Sequence, residues 1–592
     1  MRLVGQSESE AREVFQDPNG SNCHYDGYTA KAWKKDGMAI TAIKILKNFP
    51  RLTLTLATLL VVAGCAPRGV RTSVRAIPGP HTRAERTAYT ETSHYADVIA
   101  FIDSLRGRKE LAFGVIGKTT QGRDIPYVIA SRPQVSTPEQ ARALRRPIVY
   151  VQGNIHAGEV EGKEALLALL RDLTNSTEPN VLDSLVLIAV PIYNADGNEK
   201  FAPQEVNRGA QNGPESVGER ANGQGLDLNR DYVKAEAPET RASLGMFNAW
   251  DPDVFVDLHT TDGSYHGYAL TYAPPLNPAA RFGVFTRDVL LPAVVARMRA
   301  AGFATFDYGD FISDDTLSKG WVTFDSRPRF GTNYYGLRGK IAILSEAYSH
   351  DPFPRRVAST YQFVQSILSV VAANGGNIRR LSDVYSRAPL LWSERNPQPM
   401  AIPIRARMIA PHDPVAVVAE VLERTGDSTR TQAGVPKGLR RTGNFHSVKM
   451  PVFTRFDPAL MASAPIAYSM PAADTQAVRL LRLHGIIVDS LRAAGFASVE
   501  KFIVDSAIVS QRPFQGHHEM QLVGRWKRDS SQIPAGSYFV STAQPLGILA
   551  VYFLEPQSDD GLVTWNFFDS EIKVGAPYPV MRLTSDPRPP AQ

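Results

Sequence analysis

Short unbroken apolar runs recur through the first two thirds of the chain, and each stops abruptly at polar or glycine-rich residues. Pro147 to Val151, Leu185 to Tyr193, Val254 to Leu258 and Ile341 to Leu344 have this form, broken only by Asp257. A strand buried on both faces reads this way, whereas a half-buried strand alternates. Strands are predicted at 113–119, 126–131, 147–153, 185–193, 253–259, 267–273 and 341–347. Between and around them, residues 94–106, 160–173, 238–249, 280–301 and 356–373 carry apolar positions at helical spacing. The alternation predicts an α/β fold: a mixed, mostly parallel sheet with helices on both faces. Open sheets of this kind hold ligands beyond the carboxyl ends of their strands.

After Asn374-Gly375-Gly376-Asn377 the texture changes. Strand-like stretches dominate, at 401–409, 449–455, 519–527, 536–541 and 549–554, with one amphipathic helix from Thr475 to Ala494. A chain of 592 residues is too long for one domain. The division expected is 89–376 for the catalytic part and 377–592 for a smaller β-rich accessory domain, read as a sandwich that packs on the catalytic part. The apolar and aromatic stretches 546–556 and 559–568 belong to its core or to the contact between the two.

The residues that close the apolar runs carry the chemistry. His156 and Glu159 follow a Gly153-Asn154 turn and stand three apart, so one tight turn can aim two ligand atoms at one ion. His259 ends the run that begins at Asp253. Two histidines and a glutamate, with a fourth position open to water, are a ligand set of catalytic zinc sites. Asn194-Ala195-Asp196-Gly197 closes another run, Asp227-Leu228-Asn229-Arg230 follows a Gly/Asn-rich loop, and Glu346 ends the last strand. Charged groups at several strand ends are costly unless they meet in one polar pocket. Asp257 shares a strand face with His259 and is read as support for the sheet. His266 and His350 are read as loop or pocket-rim histidines, and His412, His446, His484, His517 and His518 stand at no ligand spacing.

Taken in order, H-x-x-E, N-x-D-G, D-x-N-R, a strand ending in His and a strand ending in Glu resemble the M14-type zinc carboxypeptidases over roughly residues 90 to 376. The resemblance implies one Zn2+ per chain, held by His156, Glu159 and His259. It implies Glu346 as general base and acid, Asn229 and Arg230 as the pair that grips a substrate's terminal carboxylate, and Asp227 as the carboxylate that orients the first histidine. The family's oxyanion-stabilising arginine falls on Arg208, with Arg220 the alternative, and its mobile tyrosine on Tyr335, with Tyr334 beside it. The implied architecture is the same α/β/α arrangement that the pattern predicts.

Near the N-terminus, Lys44, Lys47 and Arg51 precede an apolar run from Leu52 to Ala63. The run is short of the roughly 20 residues of a membrane span, and it has the form of a secretory signal. Val62-Ala63-Gly64-Cys65 resembles a bacterial lipobox. That resemblance implies a signal peptide over 38–64, lipid on Cys65, and a membrane-anchored lipoprotein facing the periplasm or cell exterior on a tether of residues 65–88. Residues 1–37 precede the positive flank and are read as an upstream extension, with Met38 as the start. Cys23 and Cys65 are the only cysteines, so no disulfide is expected.

Net charge is +6, but the basic residues are scattered. Without a basic stripe interleaved with aromatics, a nucleic-acid partner is excluded. The expected function is zinc-dependent removal of C-terminal residues from peptides with a free terminal carboxylate. The alternatives are a murein-peptide hydrolase or N-acyl amino acid deacylase on the same metal site, and a non-catalytic substrate-binding lipoprotein. Glu346 beside three intact ligands opposes the last.

Overall fold

The computed structural model describes residues 78–588, apart from 313–318, 396–397, 410–412, 428–434 and 436. The expected signal peptide, Cys65 and most of the expected tether lie outside the described residues. Eight strands form the central sheet: β1 (Leu111–Lys118), β2 (Asp124–Ala130), β3 (Ile148–Gly153), β4 (Val186–Val190), β5 (Val254–Thr260), β6 (Leu270–Ala273), β7 (Thr305–Asp307) and β8 (Ile341–Ala347). Their order is β1-β2-β4-β3-β5-β8-β6-β7. The middle four, β4, β3, β5 and β8, run parallel, and β2 and β6 flank them antiparallel. Every residue of the middle four is buried, which is why they read as unbroken apolar runs.

Alternate residues of these strands face opposite layers. Val149, Val151, Val256 and Ile343 pack against α1 (Glu161–Asn175) and α4 (Phe353–Ala373) through Leu166, Leu170, Phe363 and Ile367. Tyr150, Phe255 and Ala342 pack against α2 (Pro238–Trp250) and α3 (Gly331–Leu337) through Leu244, Phe247 and Tyr335. The helix expected at 280–301 is broken by a π-turn over Thr286–Leu290, just ahead of Pro292. Proline supplies no N–H to the preceding turn and its ring crowds that turn's carbonyls.

A further helix, α5 (Gly375–Arg395), leads into the C-terminal region. Six antiparallel strands form one sheet there: β9 (Ala467–Met470), β10 (Asp489–Ser490), β11 (Gly495–Val509), β12 (Met520–Ile533), β13 (Tyr538–Ser541) and β14 (Met581–Leu583), ordered β10-β13-β9-β14-β11-β12. Two two-stranded ribbons precede it, Ala401–Ile409 with Arg455–Ser463 and Val415–Arg424 with Leu439–Met450. Instead of a second sheet, helices α6 (Thr475–Leu483) and α7 (Gly547–Leu554) bury against Tyr468, Met470 and Val540. The expected sandwich is therefore replaced by a helix-backed sheet.

Three expected elements of the C-terminal region differ. The run 549–554 is helical, because all eight residues of α7 are buried and an apolar run of that length suits a buried helix as well as a strand. The helix expected to reach Ala494 stops at Leu483, where Gly485 takes φ +85 in the left-handed region that ends helices. The strand expected at 449–455 is split at Pro451 and Thr454 into three pieces.

The C-terminal region shares its core with the central sheet. Phe247, Trp250 and Tyr334 join one buried cluster with Leu481, Val540, Leu549 and Phe553. Polar contacts cross with them: Asn248 donates to the Leu483 carbonyl at 2.9 Å and Arg338 to the His484 carbonyl at 2.8 Å. Residues 77–592 form one compact unit. Among the described residues no helix is long and apolar enough to cross a membrane.

Candidate active site

The site grows out of parallel register. His259 near the end of β5 is the register partner of Glu346 near the end of β8, so the two side chains stand side by side on one face of the sheet. The turn after β3 adds His156 and Glu159, closed by the Glu159 N–H donating to the His156 carbonyl at 3.0 Å. Gly158 is required inside that turn, since a Cβ there would lie 2.7 Å from Arg208 Cγ and 2.9 Å from the Gly218 carbonyl.

His156, Glu159 and His259 are all buried and can place three ligand atoms within 4.8 Å of one another. The two Nδ1 atoms face each other at 3.2 Å, and each lies 3.0 Å from a Glu159 oxygen. Behind the rings, His156 Nε2 meets Asp227 Oδ1 at 3.0 Å, and His259 Nε2 lies 3.0 Å from Asp257 Oδ2, close but not aligned as a hydrogen bond. Carboxylates on both far nitrogens favour Nε2–H and leave both Nδ1 lone pairs aimed at one point beside a carboxylate. This donor set fits a zinc ion, which accepts imidazole nitrogen and carboxylate oxygen in one tetrahedral site. Asp257 therefore stands behind the second candidate ligand as well as in the sheet, where Gln152 donates to it at 3.0 Å, whereas the sequence reading gave it to the sheet.

The electrostatics separate the two glutamates. Burial alone would raise Glu159, but the charges of His156 and Arg208 outweigh it and hold the carboxyl well below its usual range. Burial pushes the Glu346 carboxyl well above the usual range; the charges of Glu159 and Asp262 add to this and His259 opposes it. Glu346 lines the same pocket as the three ligands.

Asn229 and Arg230 line that pocket too. The Asn229 amide oxygen accepts from the Gly331 N–H at 2.9 Å, which leaves the donor end of the amide for the pocket. Arg230 donates to the Asn229 carbonyl at 2.8 Å and lies with its guanidinium 4.2 Å over the Phe330 ring. Asp227 stands behind His156, and the charges and hydrogen bonds of His156 and Arg220 hold its carboxyl far below the usual range against the effect of burial.

The two arginine candidates take different places. Arg208 does not line the pocket; it is spent on the Thr260 and Thr261 carbonyls at 3.0 and 2.8 Å, Glu159 at 3.2 Å and Asp262 at 3.1 Å. Arg220 does line it, steadied by Asp227 at 3.0 Å. The N-x-D-G motif helps to set this, because Asn194 donates to both the Ile155 and Arg220 carbonyls at 3.2 Å.

Tyr335 is not at the site. Its ring stacks on Phe247 at 3.8 Å in the core and its hydroxyl pairs with Ser243 at 3.1 Å. Tyr334 is also buried, with its hydroxyl on His484 Nδ1 at 2.6 Å. The tyrosine on the pocket wall is Tyr308, which stands in no motif. Nor do His266 and His350 reach the pocket. Burial lowers them to about 3 and about 4, and the His350 ring nitrogen pairs with the Gly263 carbonyl at 2.9 Å.

The sequence reading also missed Thr260, Asp262, Phe324, Phe330, Thr332 and Leu344 on the pocket wall. Only Leu344 carried a signal, being two residues from Glu346 on a strand and so on the same face. The C-terminal region also touches the site: Gln515, in the β11–β12 connection, accepts from the Asp227 N–H at 3.1 Å.

Residues 98–279 match the Peptidase M14 zinc carboxypeptidase family, a stretch that contains His156, Glu159 and His259 and ends before Glu346. Carboxypeptidase 2 of Trichophyton rubrum is 24% identical over 560 residues, covering 88% of this chain and 93% of the relative. Carboxypeptidase 2 of Trichophyton equinum is 24% identical over 498 residues, covering 79% and 81%. Among solved structures, a metallo-carboxypeptidase from Burkholderia cenocepacia matches at 20% identity and TM-score 0.35, covering 48% of this chain and 70% of that one. One from Pseudomonas aeruginosa, in complex with (2-guanidinoethylmercapto)succinic acid, matches at 19% and 0.36, covering 49% and 70%.

Proposed function

We infer, from the Peptidase M14 zinc carboxypeptidase segment that this chain carries, how its own residues divide the work of a zinc-dependent carboxypeptidase. The observation that carries the reading is the placement of Asn229 and Arg230 in one pocket with the three ligands and Glu346. An exopeptidase needs such a pair, because a free terminal carboxylate is what distinguishes its substrate from the rest of a peptide. Arg230 grips that carboxylate with parallel N–H donors, which lysine cannot do, and Asn229 adds a neutral donor.

His156, Glu159 and His259 would hold the zinc, which supplies polarisation of water and of the scissile carbonyl. Glu346 accepts a proton from the attacking water and returns it to the departing amine. Its raised affinity for protons suits the second half of that task. Arg220 stabilises charge developing on the carbonyl oxygen, a contribution commonly worth about 3–4 kcal/mol. Arg208 positions Glu159, and Tyr308 offers a hydroxyl over the bound residue. Asp227 and Asp257 keep the two rings oriented.

The test is product analysis on zinc-loaded protein with an N-blocked peptide. Release of single residues from the C-terminus of the free acid, with the C-terminal amide resistant, supports the reading. Internal cuts, or equal cleavage of acid and amide, would move it to an endopeptidase or deacylase.

Export and lipid anchoring at Cys65 are a second proposal. The Lys44, Lys47 and Arg51 flank, the apolar run and Val62-Ala63-Gly64-Cys65 support it. Cys65→Ser should release the protein into soluble fractions; unchanged membrane association would count against it.

A further inference from the structure

We propose that Gln515, at the tip of the β11–β12 hairpin, is a positioning residue for the turn that grips the substrate, so that the C-terminal region completes the active site. The inference rests on the carboxypeptidase reading and adds to it a residue from outside the matched family segment, which ends at residue 279.

The hairpin tip is built at a backbone cost. Phe514 and His517 exchange backbone hydrogen bonds at 2.8 and 3.0 Å, so Gln515 and Gly516 form a two-residue connection. Both take positive φ, +50 and +83. Glycine, asparagine and aspartate suit such positions, whereas glutamine does not. Asparagine would carry the same amide one methylene shorter. The longer side chain uses its reach on the site, where its amide oxygen accepts from the Asp227 N–H at 3.1 Å. A residue kept in a disfavoured conformation, with its side chain on the active-site turn, points to a role at that turn.

Asp227 anchors the turn. Its carboxylate caps it through the Asn229 N–H at 2.9 Å and backs His156 at 3.0 Å, while Arg220 takes the other oxygen at 3.0 Å. With the side chain committed on three sides, the backbone N–H is the remaining handle, and Gln515 holds it. The same hairpin holds the segment further on: His517 Nε2 meets Glu236 Oε1 at 2.8 Å, and Lys234 donates to the other Glu236 oxygen at 2.8 Å. It also backs the ring under Arg230. The Arg329 guanidinium lies 5.0 Å over the Phe514 ring and donates to Glu519 and Asp560, and the next residue is Phe330, on which Arg230 lies. Without Gln515 the Asp227 backbone turns to water, and Asn229 and Arg230 lose their fixed place beside His156.

The experiment uses the full chain at saturating zinc and measures Tm, together with kcat/KM for the free-acid and C-terminally amidated forms of one peptide. Gln515→Asn and Gln515→Gly both suit the turn and both lose the contact, so Tm should stay at or above wild type. Cleavage of the acid should fall by about 10- to 100-fold, since a misplacement of about 1 Å can cost the larger figure. The amide should lose less, and the acid-to-amide ratio should fall by about 10-fold. A ratio within about threefold of wild type in both variants, or an equal loss on both substrates that accompanies a fall in Tm, overturns the inference. If the wild type favours the acid and the variants keep its ratio, this inference alone fails. If the wild type cuts acid and amide equally, the carboxypeptidase reading fails and takes this one with it.

Discussion

The carboxyl ends of β5 and β8 and the C-terminal sheet both bury charge, and they do so differently. In the C-terminal sheet each charge meets its complement. Arg582 donates to Glu555 at 2.7 Å, Tyr468 donates to the same carboxylate at 2.6 Å, and the Arg582 guanidinium lies 3.7 Å over the Trp526 ring. Arg329 reaches the same region from the other side and pairs with Asp560 at 2.7 Å. At the strand ends the complement is incomplete. Two imidazole nitrogens converge on one carboxylate, and Glu346 makes no ion pair among the described residues. Groups closed on one another hold the fold, whereas groups left facing a pocket have a partner that arrives from outside.

The largest effect should come from the open end. Glu346→Gln keeps the shape of the side chain and removes its proton acceptor. Turnover should fall by about 10²–10⁴-fold, while zinc content by metal analysis and thermal stability stay near wild type. Near-normal turnover would assign the proton transfer elsewhere.

The closed end should respond in the opposite sense. Arg582→Ala leaves Glu555 buried without its cation, which typically costs about 3–5 kcal/mol. Denaturant unfolding should show that loss, with kcat/KM of the remaining folded enzyme little changed at a saturating zinc level. A variant of full stability and poor activity would break the distinction between the two regions.

A smaller effect concerns His484, buried where the two regions meet. Burial lowers it to about 3, and its ring bridges the Tyr334 hydroxyl and the Val233 carbonyl. A histidine held neutral in the fold binds its proton more readily when unfolded. Its stability contribution is therefore present above the unfolded value near 6.5 and lost as pH falls from there toward 3, at up to about 1.4 kcal/mol per pH unit. Denaturation midpoints measured between pH 7 and 4 should fall, and His484→Gln should flatten the slope. A slope equal in both proteins would assign the acid loss to other groups.

How much of this was legible in the sequence follows the same division. β8 was readable to the residue, because the apolar run Ile341–Leu344 marks its start and the charged Glu346 marks its carboxyl end. The ends of the apolar runs marked His156, Glu159, His259 and Glu346, the family resemblance added Asp227, Asn229 and Arg230, and the fold brings all of them to one pocket or directly behind it. Arg208 and Arg220 were not separable, since the loop between them and the D-x-N-R turn fixes no register. Tyr335 was misread because a tyrosine in an apolar helix looks the same in the core as at a site, and Tyr308 had no pattern to mark it. The α7 run carried no periodicity to tell a buried helix from a strand. Contacts such as Gln515 with Asp227 join positions far apart in the chain and exist only once the fold does.

The account's central claim is that this pocket reads a terminal carboxylate through Arg230, and a two-by-two comparison of kcat/KM tests it most directly. Wild type and Arg230→Ala are each assayed on the free-acid and C-terminally amidated forms of one peptide. Losing the bidentate partner of a buried carboxylate costs several kcal/mol. The account predicts that the substitution cripples cleavage of the acid by at least about 100-fold and barely changes the already poor cleavage of the amide. Equal wild-type rates on acid and amide, or an equal loss on both, would contradict it.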